Sequence, residues 1–321
     1  MAIYTAQQVA TERGITAYLG REMNKYSSLF PEISDVRKST SEEESYLIGG
    51  SMPGVRKWVG DREFDRLSAA KVAVANEPWE SSLMFDRFHY DDDRAGLYTN
   101  ALGELADEAA AHPDELMAEF LVKGESTECW DGQNFFDTDH AWRDSGTQDN
   151  IVSVNVVDTA NPTPMELRDA FDACVERIKS FKKSNGKRYY RAKVEQLSDF
   201  SVFTPLAIAN PFKRAYQQVI SNEGGVATTN VTLESPKITP FNLINSDDTW
   251  NGTAGSDTDF YVFYTGARWK PLIFQPRTKI VAKIKGLTGD DIEHKDVKVM
   301  TEGRYNFAYF AWMNAIKCKL T

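Results

Sequence analysis

The sequence predicts an α+β fold, and three observations carry that expectation. From Arg94 to Lys123 apolar residues recur at helical spacing, near the end two long runs alternate apolar with polar residues, and shorter strand-like and helix-like pieces follow one another between them. At 321 residues, 41% hydrophobic and 26% charged, the chain suits one large or two ordinary globular domains.

Residues 1 to 50 hold an amphipathic opening segment and then FPEISDVRKSTSEEESY, where Pro31, several serines and Glu42, Glu43 and Glu44 make a polar arm unable to bury much of itself. The following GGSMPGVRKWVGDREFDRL is punctuated by Gly49, Gly50, Pro53, Gly54 and Gly60, yet carries Val55, Trp58, Val59 and Phe64. It reads either as an extended loop meeting a partner or as an ordinary surface loop. In KVAVANEPWESSLMFDRFHY, Val72, Val74, Leu83 and Phe85 alternate around a break at Asn76 to Pro78, as two strands and a turn do.

Asp91, Asp92 and Asp93 precede the helical stretch, where capping and the helix dipole account for them; no second acidic cluster at fixed spacing supports a cation site. Pro113 suits a first turn, so Arg94 to Lys123 is two helices or one long kinked one, of roughly 40 Å if continuous. Next, CWDGQNFFDTDH packs three aspartates, a histidine and a cysteine into a short space. Asp131-Gly132 between aromatic residues is a hairpin signal, and His140 has only Asp137 and Asp139 near it in sequence, so a turn is favoured over a metal site.

IVSVNVV reads as a strand. Thr163, Pro164 and Glu166 form a capping box for a helix whose apolar face holds Leu167, Phe171, Cys174, Val175, Ile178 and Phe181. Its tail, Lys179 to Arg191, is the main cationic patch; it complements the helix dipole, with nucleic-acid contact as the minority reading. FSVFTP, a helix with Phe212, Ala215, Tyr216 and Val219 inward, then VTLES, KITPFNLI and DFYVFYTG complete a compact α+β middle. Two long antiparallel strands, PLIFQPRTKIVAKIKG and DVKVMTEGRYNFAYFAWMNAIK, joined by an acidic turn at Gly289, Asp290 and Asp291, are expected to close the chain.

Charge and motifs exclude several function classes. Lys and Arg total 37 against 47 Asp and Glu, a net charge of −10 that repels nucleic acid in bulk. No run is apolar enough to span a membrane, and MAIYTAQQVATERG lacks a signal-peptide layout. Cys129, Cys174 and Cys318 have no paired spacing, His89, His112, His140 and His294 are isolated, and no phosphate-binding, dinucleotide, zinc-protease or nucleophile-elbow motif occurs. No cofactor, metal or catalytic residue is expected.

WVGDREFDRL from Trp58, EPWESSLMFDRFHYDDDRAGLY from Glu77, AAAHPDEL followed by LVKG, DGQNFFDTDH from Asp131 and WKPLIFQPR from Trp269 resemble the Mu-like phage major head subunits, tailed-phage major capsid proteins of the Hong Kong 97 type (HK97-like) fold. The resemblance implies an N-terminal arm at 1–48, an extended hairpin loop at 49–86, a peripheral domain with a spine helix at 87–162, an axial domain at 163–270, and a return to the peripheral domain's long strands at 271–321. It also implies a structural protein of the virion, assembled in the host cytoplasm, whose copies form pentamers and hexamers of an icosahedral shell. Scaffold, portal and decoration proteins are further expected partners, and packaged double-stranded DNA would lie inside without sequence-specific binding.

On that reading Arg56, Trp58, Arg62 and Phe64 make the inter-subunit loop contact, with Glu42, Glu43 and Glu44 or Asp91, Asp92 and Asp93 as acidic counterparts next door. The competing readings are an enzyme or ligand-binding protein built on the α+β middle, and a tail or tube protein of the same particle.

Overall fold

The computed structural model describes residues 12–49, 57–61, 69–92, 96–183, 185–190, 196–217, 220–223, 226–229, 234–287 and 295–321. The first elements are helix α1 (Glu12–Met23), the single turn α2 (Phe30–Ile33) and strands β1 (Ser34–Val36), β2 (Glu43–Gly49), β3 (Ala69–Ala75) and β4 (Glu77–Asp86). Helices α3 (Arg87–Asp91), α4 (Leu97–Val122) and α5 (Pro164–Ser180) follow, with β5 (Ile151–Val154) ahead of α5. Then come β6 (Phe200–Thr204), α6 (Leu206–Gln217) and the small strands β7 (Ile220–Glu223) and β8 (Val226–Thr229). The last part holds β9 (Lys237–Pro240), β10 (Thr249–Trp250), β11 (Thr253–Ala254), β12 (Phe260–Tyr264), β13 (Leu272–Lys285), β14 (Asp296–Tyr309) and β15 (Ala315–Leu320).

Two larger sheets organise these pieces. One runs β1-β13-β14-β4, with β13 and β14 pairing antiparallel from Leu272↔Tyr309 out to Lys285↔Lys298. The other runs β5-β15-β12-β6-β9, and its inner strands β6 and β12 (FSVFT and FYVFY) are buried at every position. Unbroken apolar runs of this kind suit strands covered on both faces, whereas the outer half of β13 alternates because one of its faces is open.

The 26-residue α4 settles the open choice left by Pro113: it is one continuous helix of about 40 Å, with Pro113 buried inside it. Its start differs from expectation. Gly96, in a left-handed conformation at φ 74°, stands at the N-cap without a side-chain cap. The carboxylate that caps a helix in this stretch is Asp86, accepting from the backbone N–H groups of Phe88 and His89 at the start of α3. Asp91 and Asp92 therefore close α3 and do not open α4, because a short helix intervenes that apolar periodicity alone could not resolve.

Four further expectations are corrected. Residues 12–36 of the expected arm are built into the fold: Ile15 and Leu19 of α1 are fully buried, and β1 pairs parallel with β13. The strands either side of Asn76 do not pair with each other; β3 pairs with β2, and β4 pairs with β14. The outgoing strand of the hairpin thus begins at Glu43, inside the segment expected to be arm. Finally, the chain does not end on the β13–β14 pair, because β15 crosses to the other sheet and inserts between β5 and β12. Val219 and the turn at Gly289, Asp290 and Asp291 lie outside the described residues.

Among the described residues the buried apolar side chains form two clusters. The larger runs through both sheets and includes Leu116 and Leu121 of α4, Phe307 and Tyr309 of β14, Trp312, and the strands β6, β12 and β15. The smaller joins α1, the first half of α4 and the outer parts of β4 and β14 through Ile15, Leu19, Leu102, Leu105, Phe85 and Val299. The capping box holds as read: Thr163 Oγ1 accepts from Glu166 N, and the Glu166 carboxylate accepts from Thr163 N at 2.8 Å.

Candidate inter-subunit surfaces

The β2–β3 hairpin pairs from Glu43↔Ala75 at its root to Gly49↔Ala69, and residues 57–61 belong to the segment beyond it. Alternation sorts its side chains: Ile48, Val72 and Val74 turn inward, while Leu47 is 65% exposed. Farther out Trp58 is 70% and Val59 77% exposed, and Trp58 Nε1 donates to the carbonyl of Gly60 at 2.7 Å.

The root is a buried amide network. Asn76 Nδ2 donates to Ser39 Oγ (2.9 Å) and to the carbonyls of Ser41 (2.9 Å) and Glu42 (3.0 Å). Gln275 Nε2, on fully buried Gln275 of β13, donates to Asn76 Oδ1 (2.9 Å) and Val74 O (3.1 Å), while Tyr46 donates its hydroxyl proton to Gln275 Oε1 (2.7 Å). From β14, Asn306 Nδ2 donates to the carbonyl of Ala75, the last residue of the hairpin, and to Glu77 Oε1 at the start of β4. The hairpin thus leaves the four-stranded sheet in a fixed direction, since every turn of its root would strand buried amides.

The expected acidic counterparts fall at separate places. Glu42 and Glu43 are exposed at the hairpin root. Glu44 is occupied within its own chain: its carboxylate accepts from Thr40 N (2.8 Å) and Ser41 N (3.1 Å), and these bonds, the Thr40 N–H foremost, hold its carboxyl down at about 2. Its hold on this turn is present above the ordinary glutamate range and is lost only as pH falls from there through about 2. Asp91 and Asp92 are exposed at the far end of ten-residue β4, about 30 Å from the root. The structure therefore does not bring the two acidic groups together within one copy. Arg56, Arg62, Phe64 and Asp93 lie outside the described residues.

The stretch at Cys129–His140 is a tight turn, with Gly132 at φ 83° and its N–H donated to Cys129 O at 3.1 Å. His140 does not turn to Asp137 or Asp139. Its Nδ1 donates to Asp131 Oδ2 at 2.7 Å, and its ring stacks on Trp312 with centroids 4.1 Å apart and planes 9° apart. Both partners are buried, so this pair locks the turn onto the larger core. Close packing also explains Gly124, where a Cβ would stand 2.5 Å from the ring of Phe136. Among the described residues no group of three or more His, Cys, Asp and Glu side chains could hold a metal. Cys174 is buried and Cys129 half-buried, and desolvation pushes both thiol pKa values up, away from nucleophilic character.

A cavity of about 210 Å³ between α4 and the four-stranded sheet is lined by Trp79, His112, Tyr305 and several glutamates. His112 Nδ1 meets the Tyr305 hydroxyl at 2.7 Å, and burial pushes the imidazole below its ordinary value.

Residues 10–203 match the family described as Mu-like prophage major head subunit gpT, which is well over half of the chain. The chain belongs to that family. It is 32% identical over 181 residues to the Mu-like prophage FluMu major head subunit of Haemophilus influenzae, covering 56% of this chain and 58% of that protein. Similarity to the major capsid protein of Escherichia phage Mu is 32% over 146 residues, 44% of this chain and 48% of the other. The chain thus spans about half the length of the curated relatives it matches. Among solved structures, the asymmetric unit of the bacteriophage PhiM1 mature capsid superposes with a TM-score of 0.59 at 11% identity, over 92% of this chain and 88% of that one. A virus-like particle from Pyrococcus furiosus gives 0.54 at 10% identity, over 96% and 98%. The chain thus has the Hong Kong 97 type fold of these capsid subunits, and its family, that of major head subunits, points to a structural role. Among the described residues no helix is long and apolar enough to cross a membrane.

Sequence reasoning missed the Asn76–Gln275 node. A single asparagine between alternating runs signals a turn, and its partner lies 199 residues away along the chain.

Proposed function

We propose that this chain is the shell-forming subunit of a phage head, a structural protein of the virion whose main partners are its own copies, in pentamers and hexamers. The observation that carries this is the hairpin: exposed Trp58 and Val59 on a rooted extension give a subunit contact area beyond its own core. On this reading the four-stranded sheet with α4 is the peripheral domain and the five-stranded sheet with α5 and α6 the axial domain. Trp58 enters a neighbour's surface, Arg56, Arg62 and Phe64 flank it, and Glu43 or Asp91 meets the arginines. Scaffold, portal and decoration proteins bind the assembled lattice, and the acidic chain lets packaged DNA lie close without sticking.

Electron microscopy with sedimentation velocity on the purified protein, alone and with a scaffold, tests this. Closed shells or five- and six-fold rings are expected. Trp58→Ala keeps the circular dichroism spectrum while closed shells are lost, since buried aromatic anchors dominate interface energies. A stable monomer or dimer under every condition overturns the reading.

A further inference from the structure

The five-stranded sheet carries unneutralised charge of opposite sign at two opposed corners. At one corner α5 runs into a tight basic turn, in which Lys182 and Arg188 form an antiparallel bridge, Lys183 N donates to Lys187 O, and Gly186 sits at φ 71°. Gln148 Nε2 holds this turn to the β5 edge by donating to Lys182 O at 3.0 Å, and the Arg177–Asp149 ion pair does the same at 2.9 Å. The rings of Tyr190 and Tyr264, 4.9 Å apart, place it beside the end of β12. Lys182, Lys187 and Arg188 are exposed, and their side chains pair with no carboxylate among the described residues.

The opposite corner is acidic. The loop after β9 carries Asp247, Asp248 and Asp257; Asp257 is tied to Ser246, whereas the Asp247 and Asp248 carboxylates pair with no cation among the described residues. Asn245 Oδ1 accepts from Leu206 N, which fixes the loop where β6 and β9 end. The strand registers set Ile151, the first residue of β5, level with Phe203 and Thr239, one residue short of those ends, so the basic turn ahead of β5 and the acidic loop beyond β9 leave the sheet in opposite directions from its two edges. Four strand spacings, roughly 19 Å, separate the edges. The two patches cannot meet within one molecule.

A basic and an acidic patch on opposed corners of one domain match each other when copies are related by rotation, in a head-to-tail contact that closes into a ring. The net charge of −10 disfavours a long nucleic acid as the counterpart, because it repels polyanions at a distance. We propose that Lys182, Lys187 and Arg188 of one copy face Asp247 and Asp248 of the next around the ring. This rests on the shell reading above and names the charges that orient its axial contact.

Charge exchange tests it. Among the described residues, neither Lys187→Glu with Arg188→Glu nor Asp247→Lys with Asp248→Lys disturbs a side-chain hydrogen bond or ion pair. Each double reversal raises the concentration at which rings and shells appear in sedimentation and microscopy by about tenfold, from lost steering and from like charges set face to face. All four substitutions in one chain restore assembly. A one-to-one mixture of the two double variants restores rings of even number only, since its copies must alternate.

Circular dichroism and melting curves confirm folding, and Lys187→Gln with Arg188→Gln replaces any reversal that does not fold, with a smaller shift in the same direction. A four-fold variant as impaired as its halves overturns the proposal while the shell reading stands. So does a basic-turn variant that assembles like the parent; if that variant also loses retention of double-stranded DNA at low salt, the partner of the turn is nucleic acid. A parent chain that never assembles overturns both.

Discussion

At the scale of the residue, the chain's polar groups act chiefly by fixing backbone that has no other reason to stay put. Replacing Gln275 by Leu leaves Asn76 Oδ1, Val74 O and the Tyr46 hydroxyl without their buried partner. The expected cost is about 1–3 kcal/mol, read as a lower denaturation midpoint, with faster amide exchange in β2 and β3 than in α4. Unchanged exchange in the hairpin would show that its root is held by packing alone. Residue-scale legibility was uneven for a physical reason. The Thr163–Glu166 capping box spans four positions and could be read directly, whereas Asp131 finds His140 through a turn and Asn76 finds Gln275 through the whole fold. Local bonds leave a spacing in the sequence; distant ones leave only a residue type.

At the scale of the element, α4 is a spine because other elements hang from it. Asp114, fully buried on α4, accepts from Leu29 N and Phe30 N at 2.8–3.0 Å and from the Tyr26 hydroxyl at 3.0 Å. One carboxylate thereby caps α2 from outside its own segment and ties residues 26–33 to the spine. Burial raises its carboxyl above the ordinary 3.8, the backbone donors and Tyr26 notwithstanding. The folded chain then binds that proton more tightly than the unfolded one, so this group's contribution falls as pH rises from 3.8 through the raised value. Asp114→Ala leaves three donors unpaired and is expected to cost about 1–3 kcal/mol, with a flatter stability curve over that acidic window; an unshifted thermal midpoint would contradict the anchoring role. The long helix and long strands were legible because their periodicity runs for many turns. The helix α3 was not, because five residues cannot display a period.

At the scale of the whole molecule, the order of pieces could be read, but not which sheet each strand joins. β15 carries the same apolar signature as the strands before it, and only its partners, β5 and β12, show that it left the first sheet for the second. The larger core runs through both sheets, so the two should unfold together. Deleting residues 315–321 removes buried Ala315, Ile316, Cys318 and Leu320, and it should abolish amide protection in β13 and β14 as well as in β12. Survival of the four-stranded sheet alone would mean that the two units fold separately. The placement of β15 also bears on timing. Ile151 waits for Lys317, and Ser34 waits for Leu272, so neither sheet can finish while translation is still short of those positions. At about 5–20 residues per second, a nascent subunit passes most of its synthesis as an incomplete building block. On the proposed shell reading, polymerisation on the ribosome is thereby delayed, and neighbouring chains on one messenger are kept from joining before each has acquired its shape.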